Sequence, residues 1–377
     1  MPVPADGALD TARWGSGGLY PGRGERVAEV KRIAVLRANA VGDLVVCMPA
    51  LTALRCAYPA AHISLLGRSW HAEFLRGRPS PVDEVIVLPP AIHLGSPRES
   101  SAHDHGEAET CVAGLQSRRF DIALQLHGGG RQSNAFMHRL GARVTAGLQA
   151  ADAPPLDRNL PYRLLHPEVL RLLEAVSLVG AQGCDVEPRL AVTPADRREA
   201  DGALGPDDER PLVVLQPGCT DPRRAWPAEA FAQVGDVCAR RGARVVLNGT
   251  QDEAPRLAAV RAAMREPCLD LAGVLSLGGL LGLLERARLV IANDTGPAHL
   301  ARALDVPSVT LYWICNLAPY APMSTLRHAV AVSWQLHCPR CGRFNIGTRC
   351  EHDDSFMAQL GAEEVLSLVD SLWPAGT

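Results

Sequence analysis

Short apolar runs recur along the chain, each closed by a polar or glycine-bearing turn. KRIAVL (31–36) leads through RANAVGD into LVVCMPALTALRCAYP, a stretch long enough for a helix. AHISLLG, DEVIVLP and FDIALQLHG follow as further short runs rich in Val, Ile and Leu. Apolarity that is continuous rather than alternating predicts strands covered on both faces, as in a parallel sheet. The pattern restarts after residue 210 with PLVVLQPG, a helix near 227–241, ARVVLNG, a helix, CLDLAG, a helix, RLVIAND, a helix and PSVTLYW. Two rounds of strand–helix alternation predict an α/β chain of two doubly wound domains facing a cleft. TPADRREADGALGPDDER (193–210), charged and punctuated by Gly and Pro, reads as the linker between them. Residues 1–30 read as a flexible tail, and 93–109 as a polar surface loop.

In such sheets ligands sit beyond the carboxyl ends of the strands. The loops found there are ANAVGD, HGGGRQ, PGCTDPRR, NGTQDE and NDTGPAH. In the last, a buried strand runs into Asn293, Asp294, Thr295 and Gly296 and then a helix carrying His299, an arrangement that offers backbone N–H groups to an anion. The plain alternative is a helix N-cap by Asp294 or Thr295. PGCTDPRRAWP places Gly218, Thr220, Arg223 and Arg224 after another strand, where a glycine admits a phosphate and a guanidinium can bridge its oxygens. Solvated arginines on a surface loop are the alternative there. Asp43 stands at the start of the first helix and is either an N-terminal cap, which spacing alone favours, or a general base awaiting a hydroxyl. His127 and Arg131 stand where an acceptor could approach, against the alternative of simple exposure.

Bulk composition narrows the field. The 377 residues are 47% hydrophobic and 21% charged, with 38 basic and 41 acidic side chains, so no global field recruits nucleic acid or an anionic membrane. Aromatics at 5% are too few for a base-stacking surface. Lys31 is the only lysine, so a phosphate clamp has to be built from arginine. No uninterrupted apolar stretch reaches about 18 residues, and the N-terminus lacks a secretory pattern, so a membrane span and export are not expected. A GxxxxGK[ST] run and a GxGxxG in the first strand–helix turn are both missing, against a P-loop NTPase and a dinucleotide-dependent dehydrogenase.

RANAVGDLVVCMPALTALRCAYP, PGCTDPRRAWP and NDTGPAHLARAL together resemble the three signature segments of the glycosyltransferase family 9 heptosyltransferases, bacterial enzymes, over residues 31 to about 372. The resemblance implies a GT-B fold of two Rossmann-like domains: an acceptor domain over 31–192, the linker 193–210, and a donor-binding domain over 211–352. It implies a final helix in 353–377 returning to the first domain. It places the catalytic aspartate on Asp43, and donor contacts on Thr220, Arg224 (where the family often has Lys), Asp294, Thr295, Gly296 and His299. Glu253 takes the position of the acidic residue that contacts the nucleoside. The implied activity is cytoplasmic, metal-independent, inverting transfer of heptose from ADP-heptose to an acceptor hydroxyl, on an autotransporter protein, lipopolysaccharide core or a natural product. Another nucleotide sugar, or a non-catalytic scaffold, are the alternatives; a homo-oligomer is compatible with all three.

Eleven cysteines in a chain without a secretory pattern point to a reducing compartment. Cys338 and Cys341, as Cys-x-x-Cys, with Cys350 and Cys315 make a tetrahedral metal pattern suited to structural zinc or iron, with His337 and His352 as substitutes; ordinary packing is the alternative. The chain also resembles the bacterial autotransporter heptosyltransferases here, a subgroup with a four-cysteine iron site, although the Cys341–Cys350 spacing is shorter. The pattern lies outside the expected sugar cleft, which predicts a metal dispensable for the chemical step.

Overall fold

The computed structural model describes residues 24–94, 102–183, 185–206, 208–346 and 348–373. Its first half runs β1 (Arg32–Leu36), α1 (Val41–Ala57), β2 (His62–Gly67), α2 (Ser69–Leu75), β3 (Glu84–Val87), α3 (Ala102–Ser117), β4 (Ile122–Gln125), α4 (Ser133–Arg139), β5 (Val144–Gln149), β6 (Arg158–Pro161) and α5 (Glu168–Ser177). Next come α6 (Pro194–Leu204), β7 (Leu212–Gln216), α7 (Ala228–Arg240), β8 (Arg244–Gly249), α8 (Ala254–Ala263), β9 (Cys268–Ala272), α9 (Leu277–Glu285) and β10 (Ala287–Asn293). The chain ends with α10 (Gly296–Ala303), β11 (Ser308–Trp313), α11 (Ile314–Tyr320), β12 (His328–Ser333) and α12 (Ala362–Leu372).

The strands form two six-stranded sheets, β3-β2-β1-β4-β5-β6 and β12-β11-β10-β7-β8-β9. Every pairing is parallel. Read from β9, the second order repeats the first, so the chain holds two Rossmann-like sheets. Each reverses its winding once, between β1 and β4 and between β7 and β10, and the crevice at that reversal is where such sheets bind ligands. The central strands are apolar on both faces: β4, β7 and β11 are buried throughout. Strands β5, β6 and β12 have weaker apolar runs and no counterpart among the strands read from sequence.

Helix α1 is not amphipathic, and ten of its residues from Leu44 to Leu54 are buried. It packs on α5 and also on α10 of the second half. One apolar cluster therefore runs from Ile33, Leu44 and Leu51 through Val290 and Leu300 to Leu281 and Ala200, continuous across the two halves.

Four expectations are corrected. Residues 194–204 of the expected linker form α6, which packs along α9. Thr193 and Asp196 cap it reciprocally, Pro194 opens it, and Ala200 and Leu204 are buried. The expected loop 93–109 enters helix α3 at Ala102, and Val112 and Leu115 dock that helix on the core; residues 95–101 lie outside the described residues. Helix α12 does not return to the first half, because Val365, Val369 and Trp373 pack into the core of the second sheet against α7 and β12. Of the expected tail, residues 1–23 lie outside the described residues, whereas Gly24 N–H donates to Ser177 O and Val27 N–H to the Tyr58 hydroxyl, anchoring the rest.

Candidate active site

Both crevices open on one cleft of about 400 Å³, lined from the first half by Ala40, Gly42 and Asp43 and from the second by Thr220, Arg224, Asp294, Thr295 and His299, among others. A second lobe of about 320 Å³ shares Ala40, Thr220, Thr295 and Gly296 with it and extends to Gly218, Gln216, Asn248, Glu253 and Leu277. The loops after β1, β7 and β10, singled out in the sequence, thus meet in one groove.

Asp43 is held by a buried ion network. Arg37, at the end of β1 and 1% exposed, donates from Nη2 to Asp43 Oδ1 (2.8 Å) and from Nη1 to Glu168 Oε1 (3.0 Å) and Leu126 O (2.6 Å). Glu168 also pairs with Arg171, which lies over the Tyr162 ring. Burial alone would lower the Arg37 pKa, but Glu168 and then Asp43 outweigh it and raise it. The other carboxylate oxygen, Asp43 Oδ2, accepts from the N–H of the N-cap residue Ala40 at 3.1 Å, so Asp43, the third residue of α1, braces the helix start without being the N-cap itself. His127 follows β4 beside this network, its Nδ1 accepting from Ala38 N–H. Burial, followed by the positive charge of Arg37, pushes its pKa down to about 4, so the imidazole is neutral at pH 7. Arg131 is exposed and paired with Asp152 at the surface.

In the second half Asn293, at the end of β10, joins the two loops. Its Oδ1 accepts from Trp226 N–H (3.1 Å) and its Nδ2 donates to Pro217 O (2.9 Å). Asp294, 3% exposed, accepts on Oδ2 from Arg224 Nη1 (3.2 Å) and Asn316 Nδ2 (2.8 Å), with His299 Nε2 3.5 Å from Oδ1. Asp294 therefore orders the loop and holds Arg224 at the cleft. Thr295 is the N-cap residue of α10, but its hydroxyl donates back to Asn293 O and makes no cap bond, which leaves the helix end facing the groove. Glu253 accepts from Thr250 N–H and lies against Gly218, where a Cβ would come within 2.2 Å of Oε1. Gly218 thus makes room for the Glu253 carboxylate. A Cβ on Gly42 would sit 2.6 Å from His299 Cδ2, and one on Gly296 3.0 Å from Val41 Cβ, so these two glycines let α1 and α10 touch across the cleft.

The sequence profile of glycosyltransferase family 9 (heptosyltransferase) matches residues 111–343. The chain belongs to glycosyltransferase family 9. It is 26% identical over 296 residues to lipopolysaccharide heptosyltransferase 2 of Salmonella typhimurium, covering 74% of this chain and 82% of that one. The structure of E. coli ADP-heptose LPS heptosyltransferase II superposes on it with TM-score 0.69 at 20% identity, covering 91% and 98% of the two chains. The iron-containing dodecameric glycosyltransferase TibC of enterotoxigenic E. coli H10407 superposes with TM-score 0.55 at 13% identity, covering 93% and 78%. The two sheets of this family 9 glycosyltransferase are those of the GT-B fold. None of its described helices is long and apolar enough to cross a membrane.

The glycosyltransferase also gathers Cys338, Cys341, Cys350 and His352, whose donor atoms all lie within 4.8 Å of one another. A tetrahedral site with arms of about 2.3 Å has edges near 3.7 Å, so three thiolates and an imidazole in this arrangement fit structural zinc or iron. Cys315 is a correction. It sits on α11 packed against the core of the second sheet, outside that group, and His352 takes its place. His337 packs its ring on Phe344, with centroids 5.5 Å apart.

Proposed function

We propose that this glycosyltransferase transfers heptose from ADP-heptose to an acceptor hydroxyl with inversion at the anomeric carbon. The observation that carries the reading is the meeting of Asp43, from one half, with Arg224 and the N-terminus of α10, from the other, in a single cleft. The diphosphate lies against Arg224, Thr220 and the helix end, where opposite charge and free N–H groups favour an anion. The nucleoside occupies the second lobe beside Glu253. There the buried Gln216 Nε2 and Asn248 Oδ1 lack hydrogen-bond partners that a base or ribose would supply. As the acceptor oxygen bonds to the anomeric carbon, its proton passes to Asp43, the bond to the diphosphate breaks, and ADP leaves with charge stabilised by Arg224. Each carboxylate oxygen has two acceptor positions, so the bonds from Arg37 and Ala40 leave Asp43 able to take that proton. His127 is a neutral group on the acceptor side. The acceptor domain of this reading is 31–192, and its location is the cytoplasm.

The names of the relatives, heptosyltransferases acting on lipopolysaccharide and one described with ADP-heptose, support the donor class. Titration calorimetry against ADP, ADP-sugars and UDP-sugars tests it. ADP and ADP-heptose should bind with micromolar or tighter affinity, and a preference for UDP compounds would remove the assignment. The same reading gives Cys338, Cys341, Cys350 and His352 a structural zinc or iron, bound outside the cleft and taking no part in the transfer.

A further inference from the structure

The cysteine element and the donor loop are joined by side chains. Asn345, 3% exposed, lies between them. On the cluster side its Nδ2 is 3.6 Å from Cys350 Sγ and its Oδ1 accepts from Cys350 N–H at 3.4 Å. On the loop side the same Oδ1 accepts from Arg223 Nη1 at 3.3 Å. Arg223 is 9% exposed, stacked over Trp313, and clamps the loop by donating from Nε and Nη2 to the Asp221 carboxylate, at 3.0 and 2.6 Å. Past the cluster, Phe356 N–H donates to Arg223 O at 2.8 Å and the Ser355 hydroxyl to Ala225 O at 2.6 Å. Residues 221–226 are thus held on one side by Asp294 at Arg224 and Asn293 at Trp226, and on the other by the segment that carries the cysteines.

We propose that Asn345 is a positioning residue through which the Cys338–Cys341–Cys350–His352 cluster sets the conformation of the donor loop, so that metal occupancy tunes affinity for the donor's nucleoside diphosphate. The cluster stays outside the chemical step, as expected of a structural metal, but acts on binding. A metal fixes Cys350, Cys350 fixes the Asn345 amide, and that amide orients Arg223, one residue before the Arg224 that faces the diphosphate. A loop ordered before binding loses less entropy when the ligand arrives. The effect on ADP rests on the donor reading above, whereas the effect on the loop does not.

Hydrogen–deuterium exchange over residues 217–227 and ADP titration, on the full chain loaded with zinc or iron and after chelation, test the two parts separately. Chelation should speed exchange in this segment and weaken ADP binding on the order of tenfold, the worth of one hydrogen bond to a charged group. Asn345→Ala should reproduce both effects while still binding about one metal per chain, and chelation should then add little. Asn345→Asp keeps the acceptor for Arg223 but lacks the Nδ2 donor toward Cys350, so it should hold the loop ordered with exchange that responds little to chelation, which guards against a variant that simply misfolds. Exchange at 217–227 that ignores chelation, or that responds equally in the wild type and Asn345→Ala, overturns the coupling. Absence of ADP binding to the loaded wild type overturns the donor reading, and the exchange data still decide the coupling.

Discussion

Both oxygens of the Asp43 carboxylate are engaged in the resting protein, one by Arg37 and one by Ala40 N–H. An Asn at this position keeps an acceptor for Arg37 and loses the base. Asp43→Asn should therefore lower turnover roughly 10²- to 10⁴-fold with ADP affinity nearly unchanged. Normal transfer in a variant that melts early would show that the side chain only caps α1. Arg224→Ala removes the guanidinium proposed to face the diphosphate and should weaken ADP binding by about 1.5–3 kcal/mol, read by calorimetry. Unchanged affinity would exclude the loop after β7 from the site. Asp43, Arg224 and Asp294 could be singled out in the sequence because each follows an apolar strand in a short polar loop. Arg37 could not. One arginine among many at a strand end looks solvated, and only tertiary packing buries it against Glu168, 131 residues away. The joining roles of Asn293 and Asn345 escaped for the same reason, since Trp226 and Arg223 lie 67 and 122 residues from them.

At the level of elements, strands and helices that cover apolar runs were legible, and those made by local polar chemistry or long-range docking were not. Helix α7 (Ala228–Arg240) falls within the stretch 227–241 read from periodicity. Helix α6 hid in a charged stretch because its apolar face is narrow and its stability comes from the Thr193–Asp196 cap and from α9. It is also pinned from the other half, where Arg78 pairs with Asp196 Oδ2 at 2.7 Å in a buried site. Spacing proposed the cysteine cluster but could not choose among Cys315, His337 and His352, because that choice depends on which way α11 and the following loop turn. In a Cys338→Ser/Cys341→Ser variant about one zinc or iron per chain should be lost, together with the order of the segment up to residue 352. Elemental analysis of protein purified without chelating resin measures this, and full retention of the metal would contradict the assignment.

For the whole molecule the buried histidines set the acid limit. Burial, foremost, lowers the pKa values of His71, His127 and His328 from 6.5 to about 4. The unfolded chain takes up protons between those values that the folded chain refuses, so stability should fall as pH drops from about 6.5 toward 4. Melting temperatures across that range measure it, and a flat profile would contradict the burial of these rings. ADP at about 100 times its dissociation constant should add about 2.7 kcal/mol at neutral pH. The apolar cluster shared by both halves predicts one calorimetric transition, because neither half can unfold without exposing the other. That shared seam also limits how the enzyme can be re-engineered. Gly42 is shaped to His299 and Gly296 to Val41, so a chimera that grafts one relative's first half onto another's second half inherits two surfaces never fitted to each other. A working exchange has to carry the facing residues of α1 and α10 as a matched set, with the seam left in place.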